Sequence, residues 1–125
     1  MKRLDDFSIA NCSFIKIDVE GHEEAVLDGA ARLITAQRPL LMVELNEDYN
    51  PGVAARLAQR YAALNYRALF LSHGTLRPIA EFDSAQHQNL ELLKYPRHKL
   101  PAGREFINNV LFVPEEKAAR VLARL

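Results

Sequence analysis

Carboxylates follow a short apolar run near the beginning of the chain. The run at residues 14–17 leads into Asp18 and Glu20, and these are followed by Gly21 and His22. Ligands of open α/β sheets bind at the carboxyl ends of the strands, so the pattern predicts acidic groups at such an edge. A carboxylate there can act as a general base, and an imidazole can relay a proton near neutral pH. Two carboxylates can also help to hold a divalent cation.

A second acidic group lies near the end of the next apolar run, at residues 40–45. Glu44 and Asn46 are two residues apart and therefore lie on the same side of a strand. We predict that the polar groups of both strand ends converge on one rim, with four catalytic candidates: Asp18, Glu20, His22 and Glu44. Two structural alternatives stay open. Glu20 can cap the helix that follows it, and Glu44 can be a buried acid bonded to backbone amides.

The remaining candidates carry weaker signals. Cys12 has no neighbouring base, so it is not expected to act as a nucleophile. The spacing of His73, His87 and His98 does not match that of metal ligands, so these histidines are expected at the surface. No metal ligand is assigned. A basic set either recognises an anionic or sugar acceptor or forms a solvated loop face. Its members are Lys94, Arg97, His98, Lys99 and Arg104, with Tyr95 among them.

The composition is typical of one soluble domain of 125 residues with 49% hydrophobic content. Sixteen basic and sixteen acidic residues cancel, which argues against a nucleic-acid or membrane partner. No apolar run is long enough to span a membrane, and no signal peptide is evident. A single cysteine excludes an internal disulfide and favours a cytoplasmic location.

Strand and helix patterns alternate along the chain. Strands are predicted at 13–18, 40–45, 66–71 and 106–113, and a turn at 72–75. Helices are predicted at 23–36, after Asn50-Pro51 as N-cap and first turn, and after Pro114. Residues 83–104 are expected to be irregular, with a short helix at 90–93. The first two strands are expected to be mostly buried.

Several segments together resemble the FkbM-type methyltransferases. Residues 14–23, followed by 26–30, resemble the signature of that family, and residues 4–6 resemble the leucine-aspartate segment that commonly precedes it. Residues 39–46 are similar to the family's next core strand, and residues 109–114 resemble its closing strand.

The resemblance implies a fold and an activity. The fold is α/β, a Rossmann-like methyltransferase sheet of seven strands, of which this chain would hold strands four to seven. The last strand would run antiparallel between the fifth and sixth. Residues 1–125 would form a single partial domain with an irregular insertion at 83–104. The implied activity is S-adenosylmethionine-dependent O-methylation of a hydroxyl on a small molecule or glycan.

The glycines depart from the family pattern. Members bind S-adenosylmethionine mainly through a glycine-rich turn after the first strand and an acidic residue that ends the second. The five glycines here are too far apart for such a loop, so no cofactor-binding residue is assigned. We expect the N-terminal cofactor-binding half to be absent from this chain, and the chain alone to be inactive.

Two other functions stay open. The chain can be a non-catalytic remnant, or a subunit whose first strand offers an open edge for self-association or for a partner chain. It can also be a small metal-dependent hydrolase that uses Asp18 and Glu20.

Overall fold

A computed structural model describes residues 2–96 and 99–124 and contains one mixed five-stranded sheet. The predictions made for Arg97 and His98 concern residues outside these ranges. The strands are β1 (Phe14–Ile17), β2 (Leu40–Glu44), β3 (Tyr66–Ser72), β4 (Thr75–Pro78) and β5 (Asn109–Pro114). The helices are α1 (Glu23–Asp28), α2 (Ala31–Gln37), α3 (Val53–Ala62), α4 (Ser84–His87) and α5 (Glu115–Leu122). Short 3₁₀ helices span Leu4–Asp6, Ile79–Glu81 and Leu90–Lys94.

The order of strands across the sheet is β1-β2-β5-β3-β4. β1 and β2 are parallel, and β5 is antiparallel to both of its neighbours, β2 and β3. Phe112 of β5 pairs with Leu41 on one side and with Ala68 on the other. The prediction that the last strand runs antiparallel between the two preceding core strands is therefore confirmed.

The strand β4 was not predicted from the sequence. The turn before β4 was predicted, and in this turn His73 and Gly74 have φ angles of 47° and 76°. Two successive positive φ angles are typical of a type I′ hairpin turn, which returns the chain beside the strand it has just left. β4 is four residues long and ends in Pro78, so its sequence lacks a clear strand pattern.

Apolar side chains pack on both faces of the sheet. On one face, α3 contributes Leu57 and Tyr61, and the ring centroids of Tyr61 and Phe112 are 5.0 Å apart. On the other face, Ala118 of α5 packs in a smaller cluster with Leu69 and Val113. In the described part of the chain no helix is both long enough and apolar enough to cross a membrane.

The edge strand β1 is less buried than predicted. Only Ile17 is buried, whereas Phe14 is 49% exposed. In the described sheet β1 pairs with β2 alone, so no second neighbouring strand shields its residues. The prediction of mostly buried strands fails for β1. In β2, Leu41 and Val43 are fully buried and the alternate positions are half-buried.

The helix predicted at 23–36 is in fact two helices, α1 and α2, separated at Gly29 and Ala30. Asp5 accounts for the break, because its carboxylate accepts hydrogen bonds from the backbone N–H groups of Arg32 and Leu33, both at 2.9 Å. The backbone N–H of Asp5 also donates to the carbonyl of Gly29 at 2.9 Å. A residue from the preceding segment thus satisfies free N–H groups in the first turn of α2.

The start of α3 also differs from the prediction. Its N-cap is Gly52, with φ of 79°, and not Asn50. The carboxylate of Glu47 accepts hydrogen bonds from the N–H groups of Gly52, at 2.5 Å, and Ala54, at 2.9 Å. A glutamate five residues upstream therefore performs the capping that the Asn50-Pro51 pair was predicted to perform.

We predict that Asp5→Ala destabilises the fold, lowering the melting temperature by about 5 °C, since lost helix caps typically have effects of this order. Desolvation raises the pKa of Asp5, but the N–H groups of Arg32 and Leu33 outweigh it, so the net pKa is lowered. This contribution is present above the ordinary aspartate pKa and is lost as pH falls through the lower, folded-state pKa.

Thermal unfolding followed by circular dichroism at pH 7 and in acid measures both effects. The matched control is Asp6→Ala, because the carboxylate of Asp6 accepts from the nearby N–H of Arg3 in the same exposed turn. Equal melting temperatures for the two variants would contradict the role assigned to Asp5.

Candidate functional site

The sheet register brings polar strand ends to one edge. Ile17 pairs with Val43 in the parallel strands β1 and β2, so Asp18 and Glu44 follow at neighbouring positions. Because β5 is antiparallel, its first residue lies at the same edge, where Asn109 pairs with Glu44. The polar groups at this edge therefore come from the ends of β1 and β2 and from the beginning of β5.

A cleft of about 970 Å³ opens beside this edge. Its polar lining includes Glu20, Glu44, Asn46, Asn108 and Asn109. Apolar and aromatic groups complete the wall, among them Tyr49, Leu71, Leu92, Tyr95 and Phe106. A cleft with apolar walls and a few convergent polar groups is the usual form of a small-molecule site.

The structure brings together some of the predicted site residues. Glu20, Glu44 and Asn46 line the cleft. Asp18 forms an ion pair with Lys16 at 3.0 Å, with about half of each side chain exposed. The ring of His22 lies 3.4 Å from the carbonyl oxygen of Glu20. Among the described residues, Asp18 and His22 are not part of the cleft lining, and the catalytic roles of all four stay predictions.

A tight turn presents Glu20 to the cleft. Glu20 and Gly21 have φ angles of 37° and 87°, and glycine adopts the second value without strain. The carboxylate of Glu23 accepts the N–H of Gly21 at 2.7 Å and is almost fully buried, with 1% of the residue exposed. Sequence reasoning gave Glu23 no role.

Glu44 is held by a side-chain amide. Asn108 donates from Nδ2 to Oε1 of Glu44 at 2.5 Å, and Asn109 donates to Asn108 Oδ1 at 3.0 Å. The alternative interpretation of Glu44 proposed backbone amides as its partners, whereas this donor belongs to a side chain 64 residues further along. Such a distant partner has no local signal in the sequence.

Gln88 joins three segments around the cleft, and it was also missed from the sequence. Its amide nitrogen donates to the carbonyls of Leu45 at 2.6 Å and Ile107 at 3.0 Å. Its oxygen accepts the N–H of Glu47 at 2.9 Å. Gln88 is 5% exposed, so these bonds are shielded from water. The side chain therefore fixes both the loop after β2 and the segment before β5.

The residues of the predicted basic set do not share one environment in the structure. Tyr95 and Arg104 line the cleft, and Lys94 pairs with Glu91 at 2.5 Å on an exposed turn. Arg97 and His98 lie outside the described residues. An acceptor-binding role for this set stays a prediction.

The histidines do not share one environment. His73 is exposed and lies 3.6 Å from Glu105, as expected for a surface position. His87 is half-buried: its ring stacks on Phe82 with centroids 5.3 Å apart, and its Nδ1 accepts the N–H of Asp83 at 2.9 Å. The surface prediction for His87 is therefore wrong. Within residues 2–96 and 99–124, no three His, Cys, Asp or Glu side chains are grouped to hold a metal ion.

Residues 1–93 match the methyltransferase FkbM domain. The chain belongs to the FkbM methyltransferase family. The matched region contains β1 to β4, including Glu20 and Glu44, whereas Asn108 and Asn109 lie beyond it. Comparisons with curated proteins and with solved structures gave no significant match.

FkbM methyltransferases normally use S-adenosylmethionine. The described residues do not form the kind of site that binding of this cofactor requires, because no glycine-rich turn follows a strand. Gly21 follows β1, but the next glycine, Gly29, lies beyond α1. An ideal Cβ at Gly21 would contact the Cβ of Tyr49 at 3.7 Å, an ordinary distance, so within the protein the φ of 87° is what favours glycine at this turn.

We predict that Gln88→Leu destabilises the protein by about 2–4 kcal/mol, because two buried carbonyls and one N–H lose their partners. Urea unfolding measures the change in the free energy of unfolding. Gln59→Leu is the matched control, since Gln59 lies on an exposed position of α3. A change below about 0.5 kcal/mol, as is usual for surface substitutions, would show that the three bonds do not hold the cleft segments together.

Proposed function

We propose that this chain supplies the acceptor side of an O-methyltransferase that acts on a hydroxyl of a small molecule or glycan. The observation that carries the proposal is the position of Glu44 in the cleft, at the carboxyl end of a central strand. Membership of the FkbM family supports methyl transfer, and a carboxylate beside the cleft can accept the proton that a hydroxyl loses on methylation.

Glu44 acts as the general base in this proposal. A hydroxyl is a poor nucleophile until its proton is drawn away, and a carboxylate within hydrogen-bond reach can accept that proton. Asp18 and Glu20 have supporting roles at the same edge. Glu20 lines the cleft, and Asp18 ends the strand next to that of Glu44. His22 contacts the backbone carbonyl of Glu20 and has a positioning role at the turn that presents Glu20.

The sheet order supports a place for these strands within the methyltransferase fold. β1, β2 and β3 correspond to the fourth, fifth and sixth strands of the Rossmann-like sheet, and β5 to the seventh. The support is the antiparallel position of β5 between β2 and β3. β4 then continues the sheet beyond the sixth strand.

In an enzyme completed by a partner that supplies the cofactor-binding half, we predict that Glu44→Gln lowers kcat for methyl transfer to hydroxyl compounds by about 100-fold, in line with the loss of a general base. The measurement is transfer of labelled methyl from S-adenosylmethionine to a panel of polyols and sugars. Glu81→Gln is the control, since Glu81 forms an exposed ion pair with Arg77 at 2.5 Å. Methylation of nitrogen or sulfur instead of oxygen, or full activity in Glu44→Gln, would contradict the proposal.

A second candidate function is a subunit that completes its sheet with another chain. The exposed apolar side chains near β1 favour it: Phe7 and Phe14 are about half exposed, at 52% and 49%, and Ile9 and Val19 are each 37% exposed. An apolar edge strand of this kind invites pairing with a further strand. No observation favours the hydrolase alternative.

We predict that the chain alone binds no S-adenosylmethionine, because the described residues lack a glycine-rich turn to receive it. Isothermal titration calorimetry measures the heat of binding, and sedimentation of the same sample measures self-association. Micromolar binding by a monomeric chain that unfolds cooperatively would overturn both this prediction and the subunit hypothesis.

A further inference from the structure

Three polar side chains form a continuous hydrogen-bonded row along the cleft wall. Asn109 Nδ2 donates to Asn108 Oδ1 at 3.0 Å, and Asn108 Nδ2 donates to Glu44 Oε1 at 2.5 Å. Asn109 and Glu44 are also direct partners across the β2–β5 pair. Both ends of the row therefore belong to strands of the sheet, and its middle residue, Asn108, directly precedes β5.

The chemistry of Glu44 sets the direction of every bond in this row. An ionised carboxylate can only accept hydrogen bonds, so Asn108 must turn its NH₂ group towards Glu44. Asn108 Oδ1 then faces Asn109, which must in turn present its own NH₂ group. The orientation of both amides follows from this network, which is the proper basis for assigning amide groups.

The row ends in an acceptor that lacks a donor. Asn109 Oδ1 is buried and has no hydrogen-bond partner among the described residues. A buried acceptor without a partner costs about 1–3 kcal/mol, and such groups in native proteins call for an explanation. Asn109 lines the cleft, so a molecule bound there is the nearest source of a donor.

We propose that Asn109 is a ligand-binding residue of the cleft, whose Oδ1 accepts a hydrogen bond from a hydroxyl group of the bound molecule. Asn108 is the positioning residue that fixes the orientation of both Asn109 and Glu44. This assignment rests on the proposed O-methyltransferase function, and it makes the cleft selective for hydrogen-bond donors over ethers. Because Oδ1 is shielded from solvent, the neighbouring side chains must shift on binding, as side chains at binding sites commonly do.

Donor selectivity has a consequence for the reaction. A hydroxyl next to the one that is methylated can donate to Asn109, while Glu44 receives the proton of the reacting hydroxyl. The O-methyl product has lost one donor and keeps only acceptors at that oxygen. Once Glu44 has released that proton to solvent, its carboxylate finds no donor on the methylated oxygen, so the cleft binds the product more weakly than the substrate.

A pair of small probes tests the assignment. Ethane-1,2-diol carries two hydroxyl donors, and 1,2-dimethoxyethane has the same chain with ether oxygens that only accept. In ¹⁵N–¹H spectra of the protein, we expect saturable shifts of the side-chain amide signals of Asn108 and Asn109 with the diol. With the ether we expect none.

The variant Asn109→Leu removes the acceptor. We expect it to weaken diol binding, followed by the Asn108 amide signal, by about 3- to 10-fold, as for loss of one hydrogen bond. Gln86→Leu is the control, because Gln86 is exposed and belongs to a different hollow, near His73 and Arg77. A retained backbone spectrum shows that each variant is folded.

Three results would overturn the inference: no saturable shift with the diol, equal shifts with the ether, or unchanged diol affinity in Asn109→Leu. These outcomes are separable from failure of the proposed function. Donor-selective binding by the chain, with no methyl transfer to hydroxyls by the completed enzyme, would reject the function and retain the inference. Methyl transfer to hydroxyls with an unchanged KM in Asn109→Leu would retain the function and reject the inference.

Discussion

The insertion of β5 between β2 and β3 is the constraint on which the candidate site depends. β2 runs parallel to β1, and β5 runs against both of its neighbours, so the beginning of β5 meets the end of β2. Asn109 is thereby placed opposite Glu44, although the two residues are far apart in the chain. The buried ring of Phe112, in contact with Tyr61 of α3, keeps β5 in the centre of the sheet. A shift of one residue in this register would turn every side chain of β5 to the opposite face.

The loops around the cleft are held in place by polar side chains that form hydrogen bonds with backbone groups. Gln88 bonds to Leu45, Glu47 and Ile107, while Glu23 closes the turn at Gly21. Buried backbone groups outside helices and strands need such partners, because leaving them unpaired is costly. The shape of the cleft thus follows from a few amide and carboxylate groups as much as from apolar packing.

The sequence was informative where the signal was local. The local pattern predicted helices at 23–36 and after Asn50-Pro51, and α1, α2 and α3 lie in those segments. It failed where distant residues intervene: Asp5 divides the predicted helix at 23–36, and Glu47 moves the start of α3 past Asn50. Capping by a residue 27 positions away leaves no trace in a local pattern.

The residues of the candidate site also differ in whether a local sequence signal identified them. The acidic motif with Glu20, and Glu44 with Asn46 on the next strand, were visible because strand ends carry a recognisable pattern of apolar and acidic residues. The sequence did not identify Asn108, Asn109 and Gln88 as site residues. The local sequence pattern around an isolated amide is the same whether that amide is exposed or buried.

The sequence by itself determined the family, the alternation of strands and helices, and the acidic groups at the strand ends, because these depend on residue type and short-range spacing. Only the tertiary structure decided which of those groups share a cleft. It separated Asp18, paired with Lys16, from Glu20 and Glu44, and it joined Glu44 to Asn108. The physical reason is that hydrogen bonds between side chains depend on strand register and on burial. Both are set when distant segments pack together.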